Sequence, residues 1–155
     1  MLDLYDKITT LLLSYSEVTS RVSKNTSYTT LSDQYAIRPG QLNEDDDYPG
    51  IVLAIPDVQY DEDLQGIARH AVVTLEVRCV GLTLADCWAL RNAVAYDDGT
   101  PNASTGLHGA TDGTGLLSCQ LESDTETAID FGDSSDRLLF VVESTYRIEF
   151  SEGLA

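Results

Sequence analysis

The sequence predicts an α+β fold, one mostly antiparallel sheet of four to five strands with two helices packed on one face, and three observations predict it. From Ala71 to Cys79 apolar residues alternate: Ala71, Val73, Leu75, Val77 and Cys79 fall on one side, and Val72, Thr74, Glu76 and Arg78 on the other. This is the period-2 pattern of a strand with one buried face. After Gly81 the period changes, and Leu84, Cys87, Leu90 and Val94 recur at three- and four-residue steps, an apolar stripe that can lie back on that face. The third observation is a closing strand over Arg137–Phe150, with Leu138, Phe140, Val142, Tyr146, Ile148 and Phe150 on one side, interrupted only by Ser144.

The remaining elements follow in chain order. Leu4, Ile8, Leu11, Leu12 and Tyr15 make a helical stripe over Leu2–Tyr15. Ser14, Ser16, Thr19 and Ser20 dilute it, and Thr26–Thr30 is rich in hydroxyls without clear periodicity, which reads as loop or weak strand. Tyr35–Leu42 is a short strand cut by the turn pair Pro39-Gly40. Tyr48 precedes Pro49 and is held extended, which opens a strand over Ile51–Ile55. Pro56 limits its continuation to an edge or a bulge, after which Val58 and Tyr60 resume the alternation. The polar stretch Asp61–Gly66 is of hairpin-loop length and makes this strand and the Ala71–Cys79 strand antiparallel neighbours. Thr83 is placed to cap the second helix, with Asp86 in its first turn. Residues 97–115 hold five glycines and a proline, which reads as a long mobile loop, and Leu116–Glu122 supplies a further strand.

Composition bounds the function. With 155 residues, 43% hydrophobic and 23% charged, the chain reads as a single domain over 1–155 with a real core. No apolar run approaches the length of about 18 residues needed for a span, and Asp3 and Asp6 stand where an export signal needs positive charge. The three cysteines show no CxxC spacing and read as reduced and buried. A net charge of −17 repels phosphate and argues against wrapping or reading nucleic acid, although it suits a channel past which DNA slides.

Catalytic patterns are weak. His70 and His108 are the only histidines and form no zinc pairing. Cys119, His108 and an aspartate could be assembled into a nucleophile trio, but no elbow motif marks them. Glu44, Asp45, Asp46 and Asp47 could collect a hard cation, yet they lack the alternating oxygen spacing of an EF-hand and read first as a solvated acidic loop. Arg91, three residues from Trp88, reads as covering that ring or pairing with an acid. No catalytic residue, cofactor or metal site is expected. Leu139 and Val141 are apolar on the otherwise polar side of the last strand, and read either as incidental or as interface.

The arrangement resembles the tail terminator (tail completion) proteins of long-tailed bacteriophages, the lambda U-type ring proteins. The likeness rests on the N-terminal amphipathic helix, the Tyr48-Pro49-Gly50-Ile51-Val52 opening, the Val72–Val80 strand with the Thr83–Ala95 helix, and the closing strand. It covers about three-quarters of the chain, and the 97–115 loop and the acidity depart from it. The resemblance implies a non-enzymatic virion protein, made in the host cytoplasm. It implies a homo-hexameric ring at the head-proximal tail end that caps the tail tube, stops its polymerisation and joins a head-side neck protein. DNA would pass through without specific binding, and no membrane is involved. On that reading Glu44, Asp45, Asp46 and Asp47 line the lumen or a rim. Leu139, Val141, Leu107 and His108 belong to subunit or partner interfaces, the last two as part of the docking loop. Alternatives are a head-closure or connector protein, a tail-tube-like subunit, a small acidic metal-binding domain or enzyme, and a DNA-mimicking inhibitor.

Overall fold

A computed structural model describes residues 2–62, 69–97, 106–111, 115–130 and 138–152. The elements are helices α1 (Leu2–Ser14), α2 (Ser16–Arg21), α3 (Leu31–Gln34) and α4 (Leu84–Tyr96), and strands β1 (Ile37–Pro39), β2 (Gly50–Glu62), β3 (Arg69–Gly81), β4 (Leu116–Asp130) and β5 (Leu138–Glu152). The strands form one sheet in the order β1-β2-β3-β5-β4. The predicted α+β class holds, with β3 at the centre and the two expected helices present as α1 and α4. The sheet is mixed, because β1 pairs with β2 in parallel while the other pairs are antiparallel.

The core lies between one sheet face and the helices. Leu75, Val77, Cys79, Tyr146 and Ile148 on the strands meet Leu4, Ile8 and Leu12 of α1 and Leu90 and Val94 of α4, all buried. Each of the leucine, valine and isoleucine side chains contributes about 1.5–3 kcal/mol by leaving water, so the period-2 and period-3.6 stripes are where stability concentrates. Thr83 caps α4 as expected, its hydroxyl accepting from the Asp86 N–H at 3.1 Å. Tyr5 on α1 fastens that helix to the sheet, its hydroxyl accepting from the Ile55 N–H at 3.0 Å.

Several boundaries differ from expectation for physical reasons. Tyr15 breaks the first helix, but α2 follows at once because Val18 and Val22 extend its buried stripe. The hydroxyl-rich composition hides that stripe. At Pro56, which offers the ladder no N–H, the β2–β3 register shifts between Ala54 and Asp57, and the pairing resumes. β4 runs to Asp130, eight residues past the expected end, because β5 pairs with it down to Asp130↔Leu138. Of the expected mobile loop, residues 98–105 and 112–114 lie outside the described residues, whereas 106–111 are tied down. Leu107 is completely buried, with its N–H on the Val94 carbonyl at 2.8 Å.

Candidate assembly surfaces

The acidic run Glu44–Asp47 sits beside β1. Asp46 does not face solvent: its side chain is 1% exposed and takes a two-pronged contact from Arg38, both bonds at 3.0 Å. Burial alone would raise the Asp46 carboxyl, but the Arg38 guanidinium and the Asn43 backbone N–H hold it below the ordinary range. Arg38 also donates to the Asp33 carbonyl at 2.6 Å, so it pins the acidic corner to α3. Asp45 accepts from the Tyr28 hydroxyl at 2.7 Å. Glu44 and Asp47 stay exposed, so the run is not the set of four equivalent solvated acids that its sequence suggests.

Among the described residues, α1 and α4 pack on one sheet face and the other face bears its own apolar cluster. Val52, Val80, Leu139 and Val141 form a small apolar cluster there, with Leu42 packed against it. Leu139 and Val141 are 6% and 8% exposed, so they are not the bare apolar residues their spacing suggests. The cross-strand neighbour Val80 sits opposite Val141 in the register, a pairing that the closing strand alone does not reveal. Beside the cluster runs an open groove of about 280 Å³, lined by Arg78, Thr125, Thr127, Ile129, Val141 and Glu143. Arg78 bridges Glu143 at 2.7 Å and Glu76 at 2.8 Å, and Ile129 in the groove lining is 43% exposed.

The opposite wall of β4 faces α4. Arg91 reaches Asp124 through bonds of 3.0 and 2.6 Å, and the Ser144 hydroxyl donates to the same carboxylate at 2.6 Å. The guanidinium also lies over Trp88 and Tyr96, so Arg91 both covers the indole ring and pairs with an acid. Trp88 donates its indole N–H to Glu126. Burial alone would raise the Asp124 carboxyl, and Arg91 and Ser144 overcome it and hold it low.

Leu107 and His108, expected at an interface, are brought against the molecule's own β4. The Gly109 N–H donates to the Cys119 carbonyl at 2.7 Å, and His108 Nδ1 accepts from the Leu121 N–H at 3.0 Å. The His108–Cys119 trio therefore lacks a nucleophile poised for attack. Cys119 is buried, and desolvation pushes its thiol up to about 12. Cys79 and Cys87 are also free and buried, with Cys87 raised to about 11. His70 lies 3.6 Å from Glu149 on the bare face. Among the described residues no group of three or more His, Cys, Asp or Glu side chains could hold a metal ion, and no helix is long and apolar enough to cross a membrane.

The backbone architecture has a counterpart among solved structures. A chain from the virion of a native gene transfer agent (GTA) particle superposes with a TM-score of 0.55. The match covers 90% of this chain and 97% of that one, at 14% identity. The two chains share a fold. At that identity the likeness speaks for backbone architecture and leaves the individual surfaces to be read from this chain. No protein-family model and no curated protein matches the sequence.

The three arginine clamps, Arg38–Asp46, Arg78–Glu76/Glu143 and Arg91–Asp124, organise these surfaces. The sequence signals parts of two of them, through the Trp88/Arg91 spacing and the Glu76/Arg78 alternation on one side of β3. Arg38 finds its carboxylate 8 residues away and Arg78 reaches Glu143 across 65, with no local pattern to announce either.

Proposed function

We propose that this chain is a structural virion protein of a phage-like particle, a single tail-terminator-like domain that closes into a ring, hexameric by resemblance, at the head-proximal end of the tail. The ring caps the tail tube, stops its growth and offers a seat to the head-side neck protein. The observation that carries this reading is the fold shared with a virion chain over nearly its whole length. It is supported by where the polar chemistry goes. Arg38, Arg78 and Arg91 all engage intramolecular carboxylates, an arrangement that fixes surfaces and leaves little for turnover. A net charge of −17 per copy, multiplied round a ring, keeps DNA moving through a lumen without sticking. Glu44, Asp45 and Asp47 are assigned to that lumen or a rim, with Asp46 holding the corner in shape.

Negative-stain microscopy of particles assembled with and without the protein tests the proposal. Overlong or unjoined tails in its absence are expected. Tails of normal length, joined to heads, would sink it.

A further inference from the structure

The sheet has two edges, and the molecule closes one of them. At β1 the Ala36 carbonyl accepts from the Ile51 N–H at 2.7 Å and the Gly40 N–H donates to the Leu53 carbonyl at 2.9 Å. Ala36 and Gly40 therefore face β2, and the alternate residues Ile37 and Pro39 face outward. Ile37 gives its N–H to the Tyr35 carbonyl at 2.8 Å and Pro39 has none, so β1 offers no free donor to a further strand.

The β4 edge is different. Because Ile51 faces β1, its β3 partner Cys79 bonds toward β5; Val142, opposite Cys79, bonds to β3, and Val141 bonds to β4. Thr127, opposite Val141, bonds inward, so the N–H and C=O groups of Asp124, Glu126, Ala128 and Asp130 point away from the sheet. The start of the strand gives the same answer. Cys119 and Leu121 turn outward to Gly109 and His108, and the register shift between Leu121 and Ser123 moves the outward set to even numbers. Those two bonds close the first half of the edge. Among the described residues, no backbone bond from outside the sheet reaches Asp124–Asp130. That stretch has no bulge, proline or lysine to blunt it. Its acids do not stand in the way either, since Asp124 and Glu126 turn to α4, where Arg91 and the Trp88 indole N–H hold them.

We propose that Asp124–Asp130 pairs antiparallel with the same stretch of a second copy about a two-fold axis at Thr127, joining two five-stranded sheets into one. A second copy brings one open edge, its own β4, because its β1 is closed as described. Charge sets the register. Only outward-facing residues can exchange bonds, so Glu126 lies opposite Asp124, Glu126, Ala128 or Asp130 of the second copy. Ala128 alone avoids two acids face to face at that position. That register sets Thr127 opposite itself and Ile129, 43% exposed, opposite Thr125, both β-branched pairs on the groove side. Asp124 meets Asp130 at the two ends, where Arg91 already balances Asp124. The dimer goes beyond the ring reading. A two-fold contact is complete with two copies, so it describes the chain away from the particle, where it covers an edge that would otherwise pair indiscriminately.

Sedimentation of the full chain over a concentration series should show a monomer–dimer equilibrium, tightened by added salt because each copy carries a net charge of −17. Thr127→Cys tests the register. Across the axis it makes a non-hydrogen-bonded pair with Cα atoms about 4.5 Å apart, within disulfide reach, and oxidised glutathione should convert it to covalent dimer. Thr125→Cys, whose counterpart lies ~14 Å away, should cross-link at least about tenfold more slowly. The native thiols are buried and do not compete. Ala128→Pro removes only an outward N–H, which an edge strand tolerates, and should weaken dimerisation about tenfold or more while circular dichroism stays native. If the proline variant fails to fold, the two cysteine variants decide alone. A chain that sediments as a monomer at every concentration, cross-linking that is absent or equal in the two cysteine variants, or a folded proline variant that dimerises like wild type overturns the proposal. Each of these leaves the ring reading standing, since that reading is tested on assembled particles.

Discussion

Replacing Arg91 with alanine removes the cation from a cluster that holds β4 to α4. Its side chain is 11% exposed and that of Asp124 21%, so the pair is screened only in part. Cutting one partner from such a pair strands a carboxylate that is mostly withdrawn from water, with the Ser144 hydroxyl left to donate to it. We expect a loss of about 2–4 kcal/mol at pH 7, which for a chain of this size lowers Tm by roughly 5–15 °C. The sign with pH follows from Asp124. Its folded-state pKa is depressed, so its contribution is complete above its unfolded value of about 4 and is lost as pH falls through the folded value. The gap between wild type and Arg91→Ala should therefore be widest at neutral pH and narrow below about pH 4. Urea unfolding at both pH values measures it. The double variant Arg91→Met with Asp124→Leu should lose less than Arg91→Ala, because no charge is stranded. A loss under about 0.5 kcal/mol, or a gap that ignores pH, would refute the claim that this pair fastens β4.

Three further outcomes are expected. Gly106→Ala puts a Cβ 2.4 Å from the Tyr96 nitrogen and 2.5 Å from the Ala95 carbonyl group, backbone atoms that cannot swing aside. It should cost about 1–3 kcal/mol by overpacking, with Leu107 dislodged in hydrogen exchange; wild-type stability would contradict that anchor. The three thiols should stay unreactive toward a thiol-exchange reagent at pH 8 until the chain unfolds, since all are buried and desolvation raises each; one rapidly titrating thiol would contradict the core assignment. Duplex DNA at low salt should give no gel shift, as expected for a chain of net charge −17, and salt-sensitive binding would contradict the passive-lumen assignment.

The fold is legible in the sequence where one face is uniformly apolar. β3 and α4 can be read directly because every second or every third to fourth residue enters the same core, and Pro56 announces its own bulge. The second half of β4 cannot be read in this way. Asp124 and Glu126 look like loop residues until Arg91 and Trp88, 33 and 38 positions earlier, are seen to receive them. Leu139 and Val141 stand out in the alternation, but their cover by Val52 and Val80 depends on strand order, which local pattern does not encode. Asp46 misleads in the opposite direction: three aspartates in a row look alike, and only Arg38 singles one out. Leu107 is hidden because glycines surround it, although Gly106 is required by close approach to the end of α4.

Cryo-electron microscopy of the intact particle at the joint between head and tail is the most direct measurement. We expect a closed ring of this fold seated on the last layer of the tube, with each copy in contact with its siblings. Density for this chain elsewhere in the particle, or isolated copies with no contact to a sibling, would contradict the account.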